Sequence, residues 1–174
     1  MEEKQKIKIE EKEEANKKEV KTMIVRGLDL PVSTKHAIAV CRFIKGKNPY
    51  EAIALLEKVI KKKIAVPMKG EIPHRKNMPK GKVAGRYPSK ASKEFVKLIK
   101  NLIANASTKG INAEDIVISV AKADKASRPY RPTRIAYGRK RFKRSHVLLE
   151  ATLKEKFKEK KLKRESQEIN KKND

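Results

Sequence analysis

The chain of 174 residues has no tryptophan, one cysteine, and only four phenylalanines and four tyrosines. With so few aromatic rings, its core must be aliphatic and modest in size. The lone Cys41 excludes an internal disulfide, which suits a reducing compartment, and an isolated cysteine on an apolar helix face reads as a small core residue. No window approaches the apolar length of a membrane span, and the N-terminus lacks the apolar stretch of a secretion signal, so a soluble, cytoplasmic protein is expected. The three histidines, His36, His74 and His146, are far apart and match no metal-ligand spacing. There is no phosphate-binding loop and no glycine-rich dinucleotide fingerprint. Ser33 near His36 reads as a helix cap rather than a nucleophile with its base, and the adjacent Glu114 and Asp115 read as solvated carboxylates. An enzyme, a metal site and a bound cofactor are therefore not expected.

Acid is also scarce. Lys and Arg number 46 against 21 Asp and Glu, a net charge of +25. This much self-repulsion destabilises a lone compact state. The surplus is uneven: residues 1–20 carry six Lys and seven Glu, residues 154–174 carry nine Lys/Arg and five acids, and residues 21–153 carry 31 Lys/Arg against nine acids. The positive field therefore belongs to the folded part, which favours a shaped nucleic-acid surface over a loose polycation.

The surplus peaks between Lys125 and Arg144, with nine Lys/Arg and no acid. Alternating apolar runs flank this stretch, Ile116 to Ala123 before it and His146 to Leu153 after it, and both read as strands. A connection so charged cannot enter a protein core. It needs a large anionic partner, and nucleic-acid backbone is the obvious one. Arg128, Arg131, Arg134 and Arg139 offer planar forks for phosphate. Tyr130, Tyr137 and Phe142 are interleaved with them, either to stack on unpaired bases or to pack across the two arms of a hairpin. Pro129 and Pro132 stiffen the backbone and weaken sheet pairing there.

Before this tip the chain reads as strand, helix, helix, helix. Val20 to Leu30 resembles a strand and its exit. Ser33 is placed to cap a helix with its side-chain oxygen. Ala37, Ile38, Val40, Cys41 and Ile44 form that helix's apolar stripe, and Gly46 ends it. Asn48-Pro49-Tyr50-Glu51 is a strong second start, with a capping Asn and Pro at the first helical position. Ile53, Leu56, Val59 and Ile60 give the second buried face. Lys61, Lys62 and Lys63 fall in its last turn, as a solvated helix end or as an RNA contact. Val66 to Pro88 reads as irregular, with Lys69, Arg75, Lys76, Lys80, Lys82 and Arg86 suited to phosphates. The third helix spans Ser89 to Ala106, with a stripe of Ala91, Phe95, Leu98, Leu102 and Ala106 widened by Ile99 and Ile103. Gly110 closes it. In the following strand, Ile116, Ile118 and Val120 are expected on one face.

This order predicts an α+β domain, with three helices packed on a small antiparallel sheet and a long protruding β-hairpin over about 115–153. The domain is expected over 20–153, between charged extensions at 1–19 and 154–174 that bury too little apolar surface to fold alone. RNA is preferred to DNA, because no recognition helix stands out and the basic surface is distributed over loops and an arm.

Several collinear segments carry a resemblance: Ser33-Thr34-Lys35-His36-Ala37, Cys41-Arg42-Phe43-Ile44-Lys45-Gly46, Glu51-Ala52-Ile53, Ala84-Gly85-Arg86-Tyr87-Pro88, Asn101-Leu102-Ile103-Ala104-Asn105-Ala106, Ala136-Tyr137-Gly138-Arg139 and Ser145-His146-Val147. Over about residues 20–153 the chain resembles the universal large-subunit ribosomal protein twenty-two family, in its archaeal and eukaryotic form. Ile135 stands where the family commonly has a basic residue, with Arg134 one earlier. The return arm from Gly138 to His146 is a few residues shorter than usual.

The resemblance implies a structural protein that binds several domains of large-subunit ribosomal RNA, beside neighbouring ribosomal proteins, in the cytoplasm. It implies rRNA contacts from Arg26, Lys35, His36 and Arg42 on the body. The loop would add Lys80, Lys82, Arg86 and Tyr87. The arm would add Arg128, Arg131, Arg134, Arg139, Lys140, Arg141, Lys143, Arg144 and His146. It further implies that Arg131, Pro132, Thr133, Arg134, Ile135, Ala136 and Tyr137 line the nascent-peptide exit tunnel. Neither a membrane nor a homo-oligomer is expected. The rival reading is a free basic RNA- or DNA-binding chaperone or regulator, which would be mostly unbound where a ribosomal subunit sediments with large particles.

Overall fold

A computed structural model of the chain describes residues 22–69, 84–134 and 140–154. Both terminal extensions, most of the 66–88 segment with Lys80 and Lys82, and Ile135 to Arg139 of the tip lie outside the described residues. The elements are β1 (Met23–Leu30), α1 (Thr34–Ile44), α2 (Pro49–Ile60), β2 (Val66–Pro67), β3 (Gly85–Arg86), α3 (Ser89–Thr108), β4 (Ile116–Lys125), β5 (Tyr130–Arg131), β6 (Lys140–Arg141) and β7 (Ser145–Leu153). This is the expected α+β arrangement, with three helices among the described residues and an antiparallel sheet.

The main sheet runs β1-β7-β4, so the last strand is central. Strand periodicity decides which side chains meet the helices. Met23 and Val25 of β1 and Val147, Leu149 and Ala151 of β7 point inward and are buried. On β4 the inward residues are first Ile116 and Ile118, then Ala121 and Ala123. The switch is a bulge: Ile118 pairs with Ala151 and Val120 with Glu150, leaving Ser119 as the extra residue. Val120, expected on the face of Ile116 and Ile118, is therefore turned to the outer face. Simple alternation could not reveal this, because an inserted residue inverts everything after it.

The helices cover the inner face with stripes at 3.6-residue spacing. On α1, Ala37, Val40, Cys41 and Ile44 are buried, together with Ala39. Ile38, expected in that stripe, is exposed. Ser33 holds the N-cap position but makes no side-chain cap bond. The helix α3 buries Ala91, Phe95, Leu98, Ile99, Leu102 and Ala106, as read from the sequence, and also Ser92. Burying each of the large side chains stabilises the fold by about 1.5–3 kcal/mol. Leu98 rests directly on β1, where a Cβ built on Gly27 would come within 3.0 Å of its methyls. Helix α3 ends two residues later than read, at Thr108, and Gly110 follows at φ +67°.

Two features lock distant parts together. Asn48 caps α2, its side-chain oxygen accepting from Tyr50 N at 3.0 Å. Its Nδ2 also donates to the carbonyls of Ala113 (3.0 Å), Glu114 (2.9 Å) and Ile116 (3.2 Å), pinning the entry of β4. The outer sides of the two edge strands are also engaged. Gly46 N donates to Ile118 O at 2.8 Å, and Ile118 N to Lys47 O at 3.0 Å. Along β1, Asn105 Nδ2 donates to Ile24 O at 3.1 Å, and Lys109 Nζ reaches Thr22 O at 2.7 Å.

A β-pairing appears where only irregular chain was read. Val66 pairs with Arg86 and Pro67 with Gly85. Val66 packs with Ala39 and Val59, next to Phe43 and Met68, so this small ribbon is fastened to α1. Lys61 to Lys63 lie just past the end of α2 rather than in its last turn, with Lys62 at φ +59°.

Candidate nucleic-acid interface

The basic stretch grows out of the centre of the fold. Strands β4 and β7 pair down to Lys125 opposite Ser145. Beyond them Ala126 N donates to Arg144 O at 3.3 Å, and Phe142 N to Pro129 O at 3.2 Å. Tyr130 then pairs with Arg141, and Arg131 with Lys140. The ladder is thus interrupted near Pro129 and ends before Pro132, where proline removes the backbone donor. Arg131 falls in the ladder, one step before the turn.

At its base the arm is tied to the body. Ser145 is buried, and its hydroxyl donates to Val32 O at 2.7 Å, just before α1. Arg128 reaches back to the first turn of α1, its terminal nitrogen 3.4 Å from Thr34 Oγ1. The Nε of Arg128 is buried with no hydrogen-bond partner among the described residues. A buried guanidinium nitrogen without an acceptor is costly.

Higher up, the Arg141 guanidinium lies over the Tyr130 ring, 4.3 Å from its centre, and also bonds the Tyr130 hydroxyl. The cross-arm packing of aromatics is therefore realised for Tyr130. One face of the ring is taken, and the residue as a whole remains 59% exposed. Phe142 is exposed beside it. Arg134, Lys140, Arg141 and Lys143 are all exposed, while Arg144 is half-buried.

On the body, Arg26 lies in the outer face of the sheet. It pairs with Leu148, which pairs in turn with Lys122, so two cations flank one leucine. Lys122 was not singled out in the sequence, because the bulge at Ser119 decides which way it points. His146 serves partly as a brace: its Nδ1 accepts from Asp29 N at 3.2 Å, where Asp29 sits at φ +49°. Lys35 and Arg42 are exposed on α1, away from the buried stripe.

His36, on the same helix, is half-buried. Burial and then the positive charges of Arg86 and Lys143 hold its imidazole below the usual range. Arg86 is carried there by β3, and Tyr87 follows it at the start of α3, half-buried. So the fold brings the charges of Arg86 and Lys143 to bear on His36, and Arg128 to Thr34 on the same helix. Lys35 is next to them. Arg26 and Lys122 lie separately, on the outer sheet face.

Burial, helped by Asp124, pushes the Cys41 thiol up to about 12, so it stays protonated inside α1. Among the described residues no cluster of His, Cys, Asp and Glu could hold a metal ion, and no helix is long and apolar enough to cross a membrane.

The sequence profile of ribosomal protein L22p/L17e matches residues 25–154. A protein of Archaeoglobus fulgidus called large ribosomal subunit protein uL22 is 42% identical over 124 residues, covering 70% of this chain and 79% of that one. The like-named protein of Methanococcus aeolicus is 38% identical over 122 residues, covering 68% and 79%. That of Ignicoccus hospitalis is 40% identical over 109 residues, covering 60% and 69%.

Proposed function

Because the chain belongs to the ribosomal protein L22p/L17e family, a structural and non-enzymatic class, we propose that it works by neutralising phosphate repulsion where segments of large-subunit rRNA must pack closely. It is a structural constituent of the large ribosomal subunit. Its partners there are rRNA and other ribosomal proteins. In the finer reading, residues 20–153 are the rRNA-binding domain and contact several rRNA domains at once. The turn of the arm, from about Arg131 to Tyr137, lines the exit tunnel and meets the nascent peptide. The particle is cytoplasmic, and the chain acts as a single copy.

One observation carries the RNA reading: nine cations and no acid between Lys125 and Arg144, on an antiparallel arm rooted in the central strand. A pre-ordered arm loses less conformational entropy on docking than a floppy tail. Its arginines and exposed rings suit irregular folded RNA read by shape and stacking.

The test is salt-dependent binding of the full chain to transcribed large-subunit rRNA. The combined variant Arg134→Gln, Lys140→Gln, Arg141→Gln should lower the slope of log affinity against log salt by roughly 0.7–0.9 for each phosphate that is no longer neutralised. It should also enter large particles less efficiently in cells. An unchanged slope with full incorporation would mean that the arm is not the binding element. Native protein found mostly unbound on a sucrose gradient would support the free regulator instead.

A further inference from the structure

Tyr130 and Arg141 stand directly opposite each other in the short ladder of β5 and β6. Their side chains therefore rise on the same face of the arm, while that of Lys140 points to the other. The Arg141 guanidinium lies over the Tyr130 ring, 4.3 Å from its centre, and one of its terminal nitrogens bonds the Tyr130 hydroxyl. Two restraints thus act on one side chain. The ring supports the face of the planar cation, and the hydroxyl fixes where along the ring it lies. Beside the pair, Phe142 N donates to Pro129 O at 3.2 Å, which holds the register of the two arms. Both Tyr130 and Arg141 are exposed. The stretch from Lys125 to Arg144 has no acid of its own to draw the guanidinium into an ion pair.

A guanidinium is flat and weakly hydrated, so it stacks on planar groups as well as binding anions at its edge. Here one face rests on a ring and part of the edge is engaged by a hydroxyl. The face turned away from Tyr130 is what the pair offers to a partner. We propose that Tyr130 and Arg141 form a platform on which one unpaired base of RNA stacks, with the guanidinium held between ring and base. This rests on the reading of the partner as RNA, and names the part of it that this point of the arm takes: a nucleobase rather than a phosphate. The exposed Lys140, Lys143 and Arg134 nearby are left to the backbone. Every base has a π-face, so the platform selects a nucleotide for being unpaired and not for its identity. Arg141 is already held by Tyr130 before the base arrives, so docking freezes little further side-chain freedom.

Two measurements on the full chain test this. In the first, affinity for transcribed large-subunit rRNA is followed across a range of salt. Arg141→Lys keeps the charge and loses the plane. It should bind about fivefold to a hundredfold more weakly at every salt concentration, with the slope of log affinity against log salt unchanged. Tyr130→Phe keeps the ring and loses only the hydroxyl, and should lose less than Arg141→Lys. Wild-type affinity in Arg141→Lys would overturn the platform. So would a shallower slope, which would make Arg141 a phosphate ligand instead. In the second, labelled protein is saturated at low salt with hexa-adenylate, or with a ribose-phosphate chain of the same length that carries no bases, and followed by NMR. Both chains present phosphates, but only the first can stack. The Nε–H and Cδ–H signals of Arg141 should move upfield with hexa-adenylate alone, a response that a purely structural pairing of Tyr130 and Arg141 would not give. Equal movement with the two chains, or none with either, would overturn the platform while leaving rRNA binding intact. Absence of rRNA binding by the wild-type chain would instead overturn the RNA reading, and the platform with it.

Discussion

Asn48 shows how much one side chain can settle. It caps α2 with its oxygen and holds three carbonyls at the entry of β4 with its nitrogen. Asn48→Ala removes both functions, and the expected loss is about 2 kcal/mol, combining a cap with orphaned acceptors. Urea unfolding should show a lower midpoint at an unchanged slope. Asn48→Asp keeps the capping oxygen but cannot donate, so its midpoint should fall between the two. The capping half of this role is visible in the sequence, because Asn-Pro is a local signal. The other half is not, because its acceptors lie 65 or more residues away. Arg128 and Arg141 teach the same lesson. Their charge is obvious in the sequence, but their contacts with Thr34 and Tyr130 come only from folding.

The elements divide by how local their causes are. The three helices could be read because apolar residues recur every three or four positions and capping or glycine residues punctuate them. Strands β1, β4 and β7 could be read from alternation. The ribbon of β2 and β3 could not, because two residues per strand leave no period to detect. The bulge at Ser119 could not either, and it decides which β4 residues meet the helices. Deleting Ser119 would take out the extra residue and leave Ile118, Val120 and Ala121 opposite their present partners in unbroken alternation, with Ala121 and Ala123 still inward. Cooperative unfolding in denaturant should survive that deletion, whereas one residue inserted between Val120 and Ala121 would turn Ala121 and Ala123 outward and should abolish it. Ser119→Ala removes only the hydroxyl bond to Glu150 O at 3.2 Å. It should cost no more than about 1 kcal/mol. An insertion mutant as stable as Ser119→Ala would show that the register is not fixed there. The action of Arg86 and Lys143 on His36 belongs to this scale too, since it needs the ribbon, the arm and α1 in place together.

For the whole molecule, charge dominates. The stretch 21–153 holds 31 Lys/Arg against nine acids, and without RNA those charges repel one another. Added salt screens that repulsion over about 10 Å at 0.1 M and over a shorter range at higher concentration. The melting temperature of the free chain should therefore rise with sodium chloride, while affinity for rRNA falls. Melting curves and binding isotherms on one preparation would check both; a melting temperature that fell with salt would contradict the account. The sheet edges add a separate consequence. A chain released from translation ahead of its RNA presents no bare strand rim at Ile118, Ile24 or Thr22, because backbone from the α1–α2 turn and side chains of α3 already occupy those positions. At those positions one copy therefore cannot add itself as a further strand to another.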